Sequence, residues 1–214
     1  MRNRLSILIV VALFASDASA GDTLWWDNGL VPNGFSGRAL SPPSFPDIRV
    51  ADDVIALRDD LPINGFHANV LEDAGWTDGG DILLEVREDT GNGPGTIVAS
   101  HQGEFTKMDT GDDYFGRDDY DYWIEGIDII LDAGTYWMTI RNPNGGGAGT
   151  NYWMTSDGGA DGPGSDTGWF SLDGGGSWSA EGDGWHHAFV VTAFPEPSTG
   201  LLLGIGGLVL LRRR

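Results

Sequence analysis

The chain has 214 residues with 32 acidic and 12 basic side chains, a formal net charge of −20, no cysteine, 34 glycines and nine tryptophans. That length suits one domain with a sizeable core, while the lack of cysteine excludes disulfide staples, thiolate nucleophiles and cysteine-based zinc sites. The acidic balance disfavours nucleic acid and anionic headgroups as partners and favours cations or neutral glycans.

At the amino terminus Arg2 and Arg4 precede an apolar run from Leu5 to Phe14, and small residues follow, ending Ala18-Ser19-Ala20. This order is that of a secretory signal peptide over residues 1–20, with cleavage expected between Ala20 and Gly21. Seven of the 12 basic residues, and all acidic ones but Asp17 and Glu196, then lie in the body at 21–193, which is strongly acidic.

The body reads as short strands between turns. Asp47 to Leu57 mixes alternation with β-branched residues, and Pro62 and Gly65 break the chain before Phe66. Asp81 to Glu88 runs into the turn cluster Asp89 to Gly95 and resumes at Thr96 to Ala99, a hairpin with a long glycine-rich loop. Tyr120 to Glu125, Ile127 to Leu131, Thr135 to Arg141, Tyr152 to Thr155 and Ala188 to Phe194 follow as further strands. No long stretch keeps helical spacing, so the expected fold is an all-β sandwich, jelly-roll-like within that class.

Two segments are rich in acids: Asp109, Asp112, Asp113, Asp118, Asp119 and Asp121 in one, Asp157, Asp161, Asp166 and Asp173 in the other. Calcium takes six to eight oxygen ligands, so these loops and the pair Asp52 and Asp53 are candidates for it, although neither segment has the spacing of a calcium loop with its closing glutamate. His186 and His187 are adjacent, and adjacent side chains of a strand point to opposite faces, so they are not expected to converge. No nucleophile elbow, zincin helix or phosphate loop is present, and no catalytic residue is assigned. Most tryptophans, Trp123 and Trp137 among them, are expected to fill the sandwich; Trp169, Trp178 and Trp185, flanked by glycines and acids, are the expected exposed set and the candidates for glycan binding.

The chain ends on Pro195-Glu196-Pro197, an uncharged stretch from Gly200 to Leu211, and Arg212, Arg213 and Arg214. About 12 residues at ~1.5 Å rise reach roughly 18 Å against a hydrocarbon core near 30 Å, a short transmembrane segment; the arginines favour the cytoplasmic side.

With these three parts in order, residues 194–214 resemble the PEP-CTERM sorting domain of bacterial exported proteins, also known as the ice-binding protein C-terminal domain. No regular threonine array accompanies it, so ice binding is not expected. The resemblance implies handling by an exosortase-type processing enzyme, with Pro195, Glu196 and Pro197 as the recognition motif, Arg212 to Arg214 as the retention signal, and a place in envelope or exopolysaccharide biology. The body resembles an ectodomain pattern of such proteins through Leu24 to Gly29, Arg49-Val50-Ala51-Asp52-Asp53, Gly93-Pro94-Gly95 and Ala133 to Trp137, with Val54 where phenylalanine usually follows Ala-Asp-Asp. What results is the expectation of a noncatalytic exported surface or matrix protein that binds extracellular polysaccharide or calcium; the rival is a small extracellular polysaccharide hydrolase.

Overall fold

The computed structural model describes residues 23–30, 37–40, 47–156, 167–182 and 186–193. The expected signal cleavage at Ala20 and Gly21, Trp185, Pro195-Glu196-Pro197 and Arg212 to Arg214 lie outside these residues. The strands are β1 (Thr23–Asp27), β2 (Gly37–Ala39), β3 (Arg49–Ala56), β4 (Leu61–Glu72), β5 (Trp76–Thr77), β6 (Asp81–Asp89), β7 (Pro94–Glu104) and β8 (Thr106–Tyr114). They continue with β9 (Arg117–Leu131), β10 (Gly134–Arg141), β11 (Gly146–Gly147), β12 (Asn151–Ser156), β13 (Trp169–Ser171), β14 (Ser179–Ala180), β15 (His186–His187) and β16 (Phe189–Ala193). No helix occurs among the described residues.

Two main antiparallel sheets form an all-β fold consistent with a sandwich. One has six strands in the order β14-β13-β3-β10-β6-β7. The other is built on the long β4, which pairs with β9 along one side and with β16 and β12 in succession along the other; β8 extends β9, β1 extends β16, and β2 and β15 join β12.

Alternation explains the core. In the six-stranded sheet Val50 and Val54 of β3, Met138 and Ile140 of β10, and Ile82, Leu84 and Val86 of β6 are buried against Phe66, Tyr122, Ile124, Trp153 and Phe189 of the facing sheet. Phe66 stacks on Phe189 at 5.3 Å between centroids, and Trp153 meets both edge-on while its indole N–H donates to the Ala188 carbonyl. Residues of opposite parity on the same strands point outward, and that face, too, is covered.

Two expectations change. Tyr120 to Leu131 is not two strands but part of one, because Gly126 adopts a positive φ of 69° inside a bulge, where pairing passes from Gly65↔Glu125 to Ile63↔Ile129. Pro62 and Gly65 do not break the chain: Pro62 is the second residue of β4, opposite Ile130 of β9, and proline is tolerated near a strand start. Gly65 is needed where a Cβ would meet Thr192 Oγ1 at 2.5 Å.

Candidate functional site: an arginine and tryptophan face

On the outer face of the six-stranded sheet the registers set side chains in rows, since residues directly opposite share a face. One row holds Trp169, Ala51, Thr139, Glu85 and Ser100; the next holds Asp53, Trp137, Arg87 and Ile97. On the far side of the first row, Ser171 is opposite Arg49 and Arg141 is opposite Leu83.

Trp137 has its ring on this outer face, not between the sheets as expected, yet it is only 3% exposed. Its indole N–H donates to Asp89 Oδ1 at 3.0 Å, which fixes the ring, and Trp169 meets it edge-on at 6.1 Å and 72°. Trp169 is half-buried, resting on the Gly93-Pro94-Gly95 loop where a Cβ on Gly93 would come within 2.9 Å of the ring. Trp178 is also half-buried, its ring over the Arg87 guanidinium at 5.2 Å. The two are thus less open than expected, while Trp123 is half-buried on the outer face of the other sheet, stacked on His67 at 3.9 Å.

Beside these rings is an ionic network. Glu85 Oε2 accepts from Arg87 Nη2 at 2.9 Å and from Thr139 Oγ1 at 3.2 Å, and Arg49 Nε lies 3.6 Å from it. Arg87 Nη1 donates to the Gly95 carbonyl at 3.0 Å, and Arg49 Nη1 to the Ile48 carbonyl. Arg49, Arg87 and Glu85 are each less than a tenth exposed. Burial lowers the pKa of the Arg49 guanidinium from its ordinary value, and the positive charge of Arg141 adds to this while Glu85 opposes it.

The segment from Ser171 to Trp178 folds over this network. Asp173 organises it: Oδ1 accepts from Ser171 Oγ and Ser177 N, Oδ2 from Ser177 Oγ. The hydroxyls of Ser177 and Ser171 hold its carboxyl well below the usual range. Gly175, at φ 95°, lies so close to Arg87 that a Cβ would stand 2.7 Å from Nη2.

A second polar cluster reads as structural. Asp52, fully buried, accepts from Asn28 Nδ2 at 3.1 Å, from Asp53 N at 2.8 Å and from His187 N. It joins the Leu24 to Gly29 segment to the Arg49 to Asp53 segment, both singled out in the sequence. His186 and His187 diverge as expected: His186 Nδ1 is 4.0 Å from Asp52, whereas His187 Nε2 is 3.4 Å from Glu181, which also pairs with Arg38 at 2.9 Å.

The acids of residues 109–121 lie in the β8–β9 hairpin rather than in a loop. Asp119 is buried there, and that burial raises its carboxyl above the ordinary range, helped by Asp121 and Asp112 and opposed by hydrogen bonds from Thr110 and Asn69. Among the described residues no three histidine, aspartate or glutamate side chains gather as a metal would require. Asp157, Asp161 and Asp166 fall outside the described residues.

Composition pointed to the tryptophans but not to the arginines. Their one signal was the two-residue step from Glu85 to Arg87 and the outward parity of Arg49 and Arg141, which acquires meaning only once three strands are in register. No protein-family model matches the chain, and no curated protein matches it.

Proposed function

We propose that this is a noncatalytic exported protein of the cell surface or extracellular matrix that binds extracellular polysaccharide through the outer face of its six-stranded sheet. The observation that carries the reading is Trp169: a half-buried ring braced by Trp137 and the Gly93 loop, on the same sheet face as the half-buried Arg141. An aromatic platform fixed from behind, with hydrogen-bonding groups beside it, suits the apolar face and hydroxyl rim of a sugar ring. Residues 21–193 form the ectodomain in this reading, a single sandwich with jelly-roll-like connections.

Export rests on residues 1–20 and sorting on the tail at 194–214, where an exosortase-type enzyme would act at Pro195-Glu196-Pro197 and the apolar segment with Arg212 to Arg214 would hold the chain in the membrane. Calcium is the weaker ligand, because the oxygens of Asp52 and Asp173 are already committed to protein donors. For the hydrolase reading a carboxyl with a raised pKa is wanted beside the rings; Asp119, whose carboxyl burial pushes up, is on the other sheet.

The test is a broad polysaccharide array probed with the purified ectodomain and with Trp169→Ala and Trp178→Ala. Binding by the wild type that falls on Trp169→Ala supports the reading; no binding to any polymer overturns it. For sorting, intact mass and cell fraction of the wild type are compared in the native host with a variant carrying alanine at 195, 196 and 197. A wild type that loses its tail while the variant keeps it in the membrane supports the exosortase step, and identical behaviour overturns it.

A further inference from the structure

We propose that the sugar taken by this face is anionic, a uronate or sulfated residue, bound by the guanidiniums of Arg141 and Arg49 beside the tryptophans. This deepens the polysaccharide reading and rests on it.

Charge supplies the argument. Only seven basic residues lie between 21 and 193, and three of them, Arg49, Arg87 and Arg141, share one face of one sheet. Glu85 is the one carboxylate ion-paired to this group among the described residues, and it pairs with Arg49 and Arg87. Asp53 shares the face and Asp89 and Asp173 adjoin it, so what sets the group apart in a chain of formal net charge −20 is not a net positive patch but Arg141, which no carboxylate among the described residues pairs with.

Hydrogen bonding points the same way. The Nε atoms of Arg49, Arg87 and Arg141 are all buried without a hydrogen-bond acceptor, that of Arg49 having only its 3.6 Å ion pair with Glu85. An unsatisfied charged donor costs more than a neutral one, and like charges held together raise that cost. The lowered pKa of Arg49, due first to burial and then to Arg141, reports the same tension from the side of the proton.

The three arginines are not equivalent. Arg87 is spent on the fold: its two terminal nitrogens serve Glu85 and Gly95, and Trp178 and Gly175 cover it. Arg49 is 6% exposed and forms the floor. Arg141 is half-buried, and no carboxylate among the described residues pairs with it, so it is the residue through which an anion would enter. A planar guanidinium fork matches a carboxylate or sulfate group by two parallel hydrogen bonds, which a neutral hydroxyl cannot supply.

The chain as a whole repels anions, so the test belongs near physiological ionic strength, about 0.15 M, where the screening length is about 8 Å. Titration calorimetry compares an oligogalacturonate, a neutral galacto-oligosaccharide of equal length and sodium sulfate on the wild type, Arg141→Gln and Trp169→Ala. The expected result is about tenfold tighter binding of the uronate than of the neutral sugar, the margin that one charge-assisted pair confers. That margin should vanish in Arg141→Gln, the uronate then binding no tighter than the neutral sugar, and the urea midpoint of the variant checks that it is folded. Trp169→Ala should lose both sugars. Equal binding of the two sugars, unaffected by Arg141→Gln, overturns the anionic assignment and leaves the polysaccharide reading standing. Failure of both sugars to bind overturns both. Full competition by sulfate at the sugar's own concentration shows a free-anion site and overturns the assignment to a sugar.

Discussion

Replacing Asp52 by alanine should be among the most damaging single changes in the body of the protein. Its carboxylate is fully buried and accepts from Asn28 Nδ2, Asp53 N and His187 N, three donors that belong to different parts of the chain. A buried donor stripped of its acceptor costs about 1–3 kcal/mol. Some of the three recover water or shift, so the expected loss is about 3–6 kcal/mol, a large share of the roughly 5–15 kcal/mol that holds a domain folded. Urea unfolding followed by tryptophan fluorescence, with far-UV circular dichroism as a second probe, reads the change directly. Ile130→Ala is the control: 62% exposed on β9, it should move stability by less than about 0.5 kcal/mol. If Asp52→Ala falls within about 1 kcal/mol of wild type, the carboxylate is not what ties the Asn28 segment to β3 and β15, and the argument fails.

Other outcomes follow from the same geometry. Phe66→Ala, which empties the contact with Phe189 and Trp153, should cost about 3–5 kcal/mol in the same urea assay. Gly175→Ala must fit a Cβ 2.7 Å from Arg87 at a positive φ, so it should cost about 1–3 kcal/mol and, by lifting the segment from Arg87, increase hydrogen exchange of the amides of Gly175 and Ser177. Asp119→Asn should raise the urea midpoint at neutral pH, since the folded pKa lies above the unfolded one and the ionised carboxylate therefore weakens the fold. The advantage should shrink as pH falls through the folded pKa into the ordinary aspartate range, where the wild-type carboxyl is protonated; an advantage that persists unchanged at low pH would refute it. Asp173 has the opposite sign: its depressed pKa means that the Ser171 to Ser177 turn contributes stability at neutral pH and loses it only in strong acid, which the amide exchange of Ser177 against pH would show.

How much of this could be read in the sequence depended on whether side chains report the pairing. In β3, β6 and β10 one parity is apolar, so Val50, Ile82, Leu84 and Met138 announce both the strand and its inner face. In β4, Pro62 and Gly65 are breaking signals that the fold tolerates because a strand start and a bulge fall at those positions. The hairpin of β8 and β9 was masked by its acids: β8 has little apolar surface to bury and is held through its backbone to β9. Trp137 was misplaced for a further reason. Alternation tells which residues share a face but not that the outer face would be roofed by a segment more than 30 residues away, so an indole on that face was expected to lie inside. Arg49, Arg87 and Arg141 were invisible as a group, because strands far apart in the sequence must align before the three become neighbours.

The placement of β16 bears on how the protein would carry a load. Thr23 lies opposite Ala193, and β16 runs between β1 and β4 with hydrogen bonds on both flanks. A pull on the carboxy-terminal side of Ala193 enters the sheet along that strand. Its inter-strand bonds stand perpendicular to the pull, so they are stretched in parallel and must fail together rather than one after another as in a peeled edge strand. A body tethered through that end would resist drag as a shear joint does, and the load would reach the six-stranded sheet only through the packed core.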